Sequence, residues 1–230
     1  MKQEFSIKPI SGYLALLMAF LFIGGAIAGF AFEIIWLGAL LTLLFIFTVI
    51  GFTVVNPNGS CVMVLFGAYK GSIRENGFFW VNPFYTKRKI SLRARNFNSE
   101  PIKVNDKIGN PIKIGFVLVW RVMDTYKAVF DVDDYQHFVL VQSDAALRKL
   151  AGLYPYDNLE DHEAVIALRG GGEEVNSELE KEIRERLIIA GIEVIEARIN
   201  YIAYAEEIAN AMLRRQQAAA VVSARFKIVE

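Results

Sequence analysis

"GFAFEIIWLG" (residues 29–38) carries the only charged side chain, Glu33, in an apolar run that extends from Tyr13 to Val55. About 20 residues of helix cross a hydrocarbon layer roughly 30 Å thick, and each half of the run has that length. One continuous helix over the whole run would be about 65 Å long, twice that thickness. Residues 13–55 are therefore predicted to form two transmembrane helices, a hairpin with its turn near residues 29–34.

Glu33 itself admits two interpretations. At the tip of a hairpin its carboxylate lies in water at the far membrane interface. In the middle of a span it would be a functional acid, costly to bury unless a cation pairs with it, and neither half of the run supplies one. The hairpin is therefore favoured. Lys2 and Lys8 precede the run and its turn has no Lys or Arg, so the positive-inside rule places residues 1–12 and the chain after residue 55 in the cytoplasm.

Composition narrows the class of protein. Apolar residues make up 54% of the chain, an excess over ordinary soluble proteins that the first 55 residues explain. The formal net charge is zero, which argues against nucleic acid as a partner, because duplex binding depends on clustered cations. The single cysteine excludes an internal disulfide. The sequence shows no metal-ligand spacing and no nucleophile elbow, so no catalytic, metal-binding or cofactor-binding residues are predicted.

Residues 56–204 mix strand and helix patterns. Apolar alternation and turn residues predict strands at 60–67, 102–104, 112–122 and 192–204. Capping residues and apolar stripes predict helices from Asp133 or Asp134 to about Ala151, closed by Gly152, then over 158–168, and over 173–190 with Gly191 as the stop. This mixture predicts one compact α+β domain.

The last predicted element is a helix over residues 205–230. Apolar residues recur there with a 4-3 spacing, an imperfect heptad stripe that favours packing against other copies of the helix. The candidates for oligomerisation on this stripe are Ile208, Met212, Ala219, Val222, Phe226 and Val229. No Gly, Asn or Pro caps the C-terminal end. The helix is therefore expected to be the truncated start of a longer one, or else to end by packing on another element.

Four stretches of the chain together resemble the stomatin/prohibitin/flotillin superfamily, also called SPFH or band 7. The order of elements is similar as well: a membrane segment, an α+β domain, and a helix rich in Ala, Arg and Gln. The resemblance extends over about residues 56–230, and AEEIANAMLRRQQA (205–218) is its most specific part, since it resembles the family's entry into a long helical arm. The stretches are NPNGSCVMVLFGAYKGSIRENGFFWVNPF (56–84), VNDKIGNPIKIGFVLVWRVMD (104–124), QSDAALRKLAGLYPYD (142–157) and ARINYIAYAEEIANAMLRRQQAAAVVSAR (197–225).

The resemblance implies an oligomeric membrane scaffold without enzymatic activity. Members of the superfamily form rings or cages on membranes, organise lipid microdomains, and in several cases regulate membrane proteases. The implied partners are membrane lipids, further copies of the chain and a membrane protease, with the α+β domain in the cytoplasm at the cell membrane. A membrane-tethered hydrolase is the alternative from another functional class. The apolar run departs from the short re-entrant loop of stomatin, because it is longer and has no central proline, which favours a double crossing.

Two short motifs superficially suggest chemistry. LRGGG (168–172) precedes a predicted helix as a phosphate loop would, but Glu173 and Glu174 in the first helical turn repel phosphate, and no Lys-Ser/Thr pair follows. His162 lies in EDHE (160–163), but consecutive helical residues point in different directions, and no second histidine is close in sequence. A flexible connection and a solvated polar patch are the favoured interpretations.

Soon after the apolar run, aromatic residues are dense at 78–85 and cations at 87–95. This combination is typical of a membrane interface, where aromatic rings lie at the headgroup level and cations face anionic lipids. The alternative is a core aromatic cluster followed by a solvated strand edge, and a division of the residues between the two is expected. The candidates for the interface are Phe78, Phe79, Trp80, Lys87, Arg88, Lys89, Arg93 and Arg95.

Cys61 follows the apolar run by six residues. Cysteines beside a membrane segment are sites of reversible palmitoylation, which makes Cys61 a candidate for lipidation. The opposing interpretation places it on a strand that is apolar on both faces, where cysteine behaves as a small buried hydrophobe. Burial is favoured.

Overall fold

The structure is a computed structural model and describes residues 4–157 and 166–229. The chain divides into two compact units. The hairpin unit contains Met1–Arg93 and Val122–Asp131, and the arm unit contains Ala94–Arg121 and Val132–Glu230. Both units combine helices with β-strands, which confirms the predicted α+β class.

Two apolar helices, α1 (Gly12–Ala31) and α2 (Ile35–Ile50), open the hairpin unit. α1 ends in the hydrogen-bond pattern of a Schellman motif: the N–H of Ile34 donates to Gly29 O at 2.8 Å, and the N–H of Glu33 donates to Phe30 O at 3.2 Å. Glu33 has a φ of 60° and occupies the left-handed position that glycine usually takes. Its side chain is exposed at the turn between the two helices. The position of this turn at a membrane interface stays a prediction.

The two helices approach closely along small residues. A Cβ atom added at Gly29 would lie 2.9 Å from the backbone nitrogen of Gly38, and one at Gly25 would lie 2.9 Å from Leu41 Cδ1. Among the described helices, α1 alone is long and apolar enough to cross a membrane by itself; α2 is apolar but has only 16 residues. The second predicted helix extended to Val55, whereas α2 ends at Ile50, because the chain after Gly51 pairs as a strand.

Two three-stranded antiparallel sheets follow in this unit. The first has the order β1 (Ile10–Ser11), β5 (Gly77–Trp80), β2 (Phe52–Val55), and the second has the order β4 (Ala68–Ile73), β3 (Gly59–Leu65), β6 (Thr86–Ser91). A short helix, α3 (Thr125–Phe130), completes the unit. The predicted strand at 60–67 is shorter than expected, because residues 66 and 67 form a turn. The core cluster of the unit consists of Val55, Cys61, Met63, Ile73 and Val81.

The arm unit contains a four-stranded sheet. Its strands are β7 (Arg95–Asn98), β8 (Ile102–Asn105), β9 (Pro111–Val122) and β10 (Ile192–Tyr204), in the order β10-β9-β7, with β8 also paired to β9. The predicted strand alternation is confirmed, because every second residue of β9 from Ile112 to Val122 is buried.

The helices of the arm unit are α4 (Tyr135–Leu153), α5 (Gly172–Leu187) and α6 (Glu206–Val229), and a 3₁₀ turn at Ile188–Ala190 follows α5. Asp134 caps α4 by accepting from the Gln136 N–H at 2.8 Å, and Gly191 ends the α5 segment with a φ of 66°. Gly152, predicted to close α4, lies inside it. The helix ends instead at Tyr154, whose extended backbone precedes Pro155. The helix predicted over 158–168 falls on residues 158–165, outside the described part, except for 166–168, which are not helical.

Candidate membrane-interface and assembly sites

The base of the hairpin is built from the strands that precede α1 and follow α2. β1 and β2 both pair with β5, so both ends of the hairpin are held in one sheet. On β5, Trp80 donates its indole N–H to the Thr48 carbonyl, near the end of α2, at 2.9 Å. The Phe78 ring stacks on Phe52 at 5.0 Å and meets Tyr13 edge-on at 5.6 Å. Aromatic side chains therefore surround the points at which both helices leave the sheet.

Lys87 on β6 contacts the C-terminal end of α2. Its ammonium group donates to the carbonyl oxygens of Ile50 and Phe52, at 3.1 Å each, and of Gly51 at 3.4 Å. A cation here complements the negative end of the helix dipole and satisfies carbonyls that have no partner within the helix. Partial burial lowers the pKa of Lys87. This candidate for lipid contact is therefore engaged by the protein's own helix end.

Glu4 binds the segment before α1 to the rest of the hairpin unit. One carboxylate oxygen accepts from the Thr125 hydroxyl at 2.7 Å, the other accepts from the Thr125 N–H at 3.0 Å, and Arg74 lies 3.8 Å away. The Thr125 hydroxyl also lies 2.8 Å from the hydroxyl of Ser72, and both residues are fully buried. The N–H of Ser72 donates to Phe5 O at 3.0 Å. The N-terminal segment thus joins the edge of β4 and the start of α3.

Three of the predicted interface cations lie free on the surface of the hairpin unit. Arg88 and Lys89 project from β6 and Arg93 follows it, all exposed, and within the described residues their side chains have no hydrogen bond or ion pair. Lys89 and Arg93 lie beside a cleft of about 270 Å³ whose lining contains no carboxylate. A surface of this kind attracts anionic groups. The other lining residues are Val54, Val55, Asn56, Pro57, Asn58, Gly59, Ser60, Cys61, Ile90 and Ser91.

Two further members of the predicted set have partners inside the protein. Phe79 packs against the core cluster of the hairpin unit. The guanidinium carbon of Arg95 lies 5.4 Å from the ring centroid of Trp120 and 5.7 Å from that of Tyr135, which is cation–π geometry. The residues are thus divided between interior and surface. Lipid contact of the exposed members stays a prediction.

Cys61 lies in the core cluster of the hairpin unit, on β3 and opposite Lys89 on β6. Its side chain is fully buried, as the burial interpretation expected. Burial raises the pKa of the thiol, and the nearby charges of Lys89 and Lys87 only partly oppose this. A neutral, inaccessible thiol is a poor nucleophile. Its lipidation stays a prediction that requires the core to open.

Four charged residues, here called the clasp, join the start of α6 to the β8–β9 hairpin. Lys103 and Lys113 lie directly opposite each other in the strand register, where like charges repel. Glu207 pairs with Lys103, and Glu206 pairs with Lys113 at 2.6 Å. Both glutamates are in the first turn of α6, where they also complement the helix dipole. The hydrogen bond from Lys103 holds the pKa of Glu207 below its usual value.

A second contact fixes α6 further along its length. Asp157 accepts from the Tyr204 hydroxyl at 3.0 Å and from the Gln216 side-chain amide at 3.1 Å. Burial, followed by the charge of Asp157, raises the pKa of Tyr204 well above its ordinary value. Of the oligomerisation candidates, Ile208 and Met212 are half-buried, and the structure describes no side chains for the other four. Their role in assembly stays a prediction.

The structure gives neither of the two short motifs a binding or catalytic role. In the glycine stretch, the N–H of Gly171 donates to Ala167 O at 2.7 Å, and Glu173 and Glu174 occupy the first turn of α5. His162 lies outside the described residues. Within residues 4–157 and 166–229, no group of three or more His, Cys, Asp or Glu side chains is arranged to hold a metal ion.

Comparison with known proteins decides the family. The family model of the SPFH domain / Band 7 family matches residues 53–227, more than half of the chain. The chain belongs to the SPFH domain / Band 7 family. The matched region begins in β2, directly after the hairpin, and ends within α6, so the resemblance noted in the sequence is confirmed. An uncharacterized protein of Methanocaldococcus jannaschii is 23% identical over 188 residues, which cover 81% of this chain and 89% of that protein.

Members of the SPFH family are generally membrane-associated scaffolds without enzymatic activity. In this SPFH chain, sequence reasoning missed the Glu4 contact and the clasp. No local signal marks Glu4, because its partner Thr125 lies 121 residues further along the chain. The clasp did have a signal: a lysine on each of the strands predicted at 102–104 and 112–122, and two adjacent glutamates at the start of a predicted helix.

Proposed function

We propose that the protein is an oligomeric membrane scaffold. α1 and α2 anchor it in the cell membrane as a double crossing, the SPFH domain lies on the cytoplasmic surface, and α6 packs on other copies of the chain. Its role is to organise lipid microdomains, and to regulate membrane-protein quality control or a membrane protease. The proposal rests on family membership and on the packing of the hairpin.

The observation that supports the membrane anchor is that burial in α1 is the reverse of burial in a soluble protein. The buried residues of α1 are all Gly or Ala, and its large apolar side chains are exposed except for Phe22 and Ile23, which are half-buried. In water such a surface would aggregate, whereas in a bilayer helices pack through small residues and present large apolar ones to lipid. The buried residues of α1 are Gly12, Ala15, Ala19, Ala26 and Gly29.

Polar groups and end residues of the hairpin also suit a bilayer. Thr42 and Thr48 donate their hydroxyls to the carbonyls of Gly38 and Leu44, four residues earlier, at 2.8 Å, so neither hydroxyl is left unsatisfied. At the tip, exposed Trp36 lies near Glu33, as aromatic and charged residues do at membrane interfaces. α2 is only about 24 Å long, and apolar Ile34 and Phe52 on either side of it extend its apolar surface.

A double crossing places the tip and the domain on opposite sides of the membrane. In a Cys61→Ala background, Glu33→Cys and Asn58→Cys each introduce one exposed thiol. In intact cells, an impermeant maleimide is expected to label the Glu33 position and to leave the Asn58 position unlabelled until the membrane is permeabilised. A permeant maleimide, which labels both, is the control. Equal protection of both positions would show that the hairpin enters and leaves from the same side without crossing.

The exposed cations Arg88, Lys89 and Arg93 are proposed to face anionic headgroups, beside the aromatic base of the hairpin. Each cation near an anionic surface contributes about 1 kcal/mol. Replacing all three with Gln is expected to reduce the excess of spin-labelled anionic lipid immobilised around the reconstituted protein. The matched control replaces three exposed cations of the arm unit, Arg148, Lys181 and Arg214. If both triple variants retain the same lipid excess, β6 does not face the headgroups.

Self-assembly is proposed to run through the apolar stripe of α6. Membrane anchors confine the domains to two dimensions and raise their effective concentration, so weak lateral contacts add up. Gentle extraction into detergent followed by electron microscopy is expected to show large uniform particles, and Val222→Glu is expected to reduce their size. Gln217→Glu, at an exposed position on the same helix, is the control. Monodisperse monomers from the full chain would contradict the scaffold, and ester or peptide hydrolysis by such monomers would favour the membrane-tethered hydrolase.

A further inference from the structure

The turn between β3 and β4 carries an aromatic residue in an unusual place. Leu65 pairs with Ala68, so Phe66 and Gly67 form a two-residue turn. Both have positive φ, 49° and 83°, the pattern of a type I′ turn, whose first position favours Asn, Asp or Gly. Phe66 is 88% exposed. Neither the backbone conformation nor contact with water therefore accounts for a phenylalanine here.

Phe66 is the first of three exposed aromatic residues that lead to the membrane hairpin. Its ring centroid lies 6.3 Å from that of Phe84, which is 58% exposed. The Phe84 ring meets Phe47 of α2 at 5.8 Å, and Phe47 is 39% exposed. Phe47 lies in the last turn of α2, one residue before Thr48, whose carbonyl accepts the Trp80 indole. We call Phe47, Phe84 and Phe66 the aromatic ridge.

The register of the second sheet places the turn at the hairpin end of its strands. Met63 pairs with Lys87, the residue whose ammonium group binds the carbonyls at the end of α2. After Met63, β3 continues through Val64 and Leu65 to the turn at Phe66. This turn therefore lies at the same end of the sheet as Lys87. The opposite end of β3 is preceded by Asn58, which also has a positive φ, 55°, and is exposed. The same strand thus has a polar turn residue at one end and an aromatic one at the end near α2.

We propose that the Phe66 turn inserts into the interfacial region of the bilayer beside α2, as a third attachment in addition to the two hairpin helices. The proposal rests on the proposed membrane anchor. The ridge is continuous with the apolar surface of α2, so a bilayer that surrounds α2 up to Phe47 also reaches Phe84 and Phe66. An attachment point displaced from the hairpin restricts the tilt of the hairpin unit against the membrane more than the two helices do alone.

Depth measurements test this directly in the full chain reconstituted into vesicles. In the Cys61→Ala background, single cysteines at positions 47, 66 and 58 carry an environment-sensitive fluorophore, and the acyl chains of the lipids are brominated near the headgroup. Quenching is expected to be strong at positions 47 and 66 and much weaker at position 58, because Asn58 lines the cleft beside Lys89 and Arg93, which are proposed to contact headgroups and not acyl chains. Quenching at 47 with none at 66 overturns the inference and leaves the anchor standing. No quenching at any position means that the anchor itself has failed.

A second copy of the chain covering Phe66 is the competing occupant. In that case the label at position 66 is shielded from an aqueous quencher but is not quenched by brominated lipid, and this outcome also overturns the proposal.

Phe66→Asn separates insertion from folding, because Asn suits the turn conformation. We expect this variant to fold with unchanged or higher thermal stability. The distance distribution between a label at position 58 and labelled headgroups is expected to broaden in Phe66→Asn, and Phe66→Trp is expected to restore the narrow one. An unchanged distribution in Phe66→Asn would show that the turn does not restrict the tilt.

Discussion

Helices α1 and α5 use their apolar residues in opposite ways. On α5, one stripe of large apolar residues is buried in the arm unit, with Val175, Leu179, Ile183 and Leu187 all at 1% exposure or less. On α1, apolar residues cover every side, all the buried residues are Gly or Ala, and most of the large side chains are exposed. α5 buries its large apolar side chains against its own protein, whereas α1 leaves most of its large apolar side chains uncovered, which is the basis of the proposed membrane anchor.

Different interactions hold the two helices in place. α5 is held by burial of large side chains, a hydrophobic contribution of roughly 1.5–3 kcal/mol for each fully buried Leu or Ile. α1 is held against α2 by close backbone approach at glycine, where dispersion contacts replace hydrophobic burial as the source of stability. Truncation of a large side chain should therefore matter on α5, and enlargement of a small one should matter on α1.

The largest expected difference is between two leucine truncations. Leu179 on α5 is 0% exposed and Leu21 on α1 is 66% exposed. Leu179→Ala is expected to destabilise the arm unit by about 2–5 kcal/mol, because it removes buried methyl groups and leaves a cavity. Leu21→Ala is expected to change the stability of the hairpin by less than about 1 kcal/mol, as exposed positions do. Amide hydrogen exchange in vesicles reports the free energy of local unfolding at each helix. A large cost at Leu21 would place a protein surface, in the same chain or another copy, against that face of α1.

The converse experiment enlarges a small residue. Gly29→Ala is expected to destabilise α1–α2 packing by about 1–3 kcal/mol, the usual cost of overpacking. The reason is that its Cβ would lie 2.9 Å from the Gly38 nitrogen, and backbone cannot move aside cheaply.

Gly24 on the same helix is the matched control, since an added Cβ there has no neighbour within 4 Å. Gly24→Ala is expected to be neutral or to stabilise α1, because Ala is the better helix former by roughly 1 kcal/mol. Hydrogen exchange of the α1 amides measures both variants. Equal effects of the two substitutions would mean that the helices do not meet at Gly29.

Much of this fold could be predicted where the deciding signal is local. The alternation in β9, the apolar stripe of α5, the Asp134 cap and the Gly191 stop each depend on residues within one or two turns. The family resemblance was readable for the same reason, since its motifs are contiguous stretches. These local patterns agree with the structure because the residues that form them are the ones that become buried or cap a helix.

The features that could not be predicted depend on which strands pair. The second helix was expected to continue to Val55 because the sequence remains apolar, but pairing of Phe52–Val55 with β5 ends it at Ile50. Residues 66 and 67 were predicted to extend a strand for the same reason, and they form its turn. In both places hydropathy alone does not distinguish helix, strand and turn. The distant strand β5 decides the first case, and the pairing of Leu65 with Ala68 decides the second.

The smallest expected effect concerns the polar side of α5, which α1 lacks. Glu182 accepts from Lys149 of α4 at 2.6 Å and from Arg186 at 2.8 Å. The hydrogen bond from Lys149 is the main reason that the pKa of Glu182 lies below its usual value. Because the pKa is lowered on folding, the stability gained from these contacts is full above the ordinary glutamate pKa of about 4.3 and is lost as the pH falls through the lower folded value.

Acid should therefore loosen α5 and leave the hairpin helices unchanged, since neither α1 nor α2 contains a carboxylate. The expected loss at α5 is about 0.5–1 kcal/mol, because Lys149 and Arg186 are partly solvated. Hydrogen exchange of both helices between pH 6 and pH 3.5, corrected for intrinsic rates, measures the difference. Glu182→Gln is expected to remove this acid dependence, and Glu185→Gln, an exposed carboxylate on the same helix, is expected to retain it. If α1 loosens in acid as much as α5, the polar face of α5 is not what makes the two helices differ.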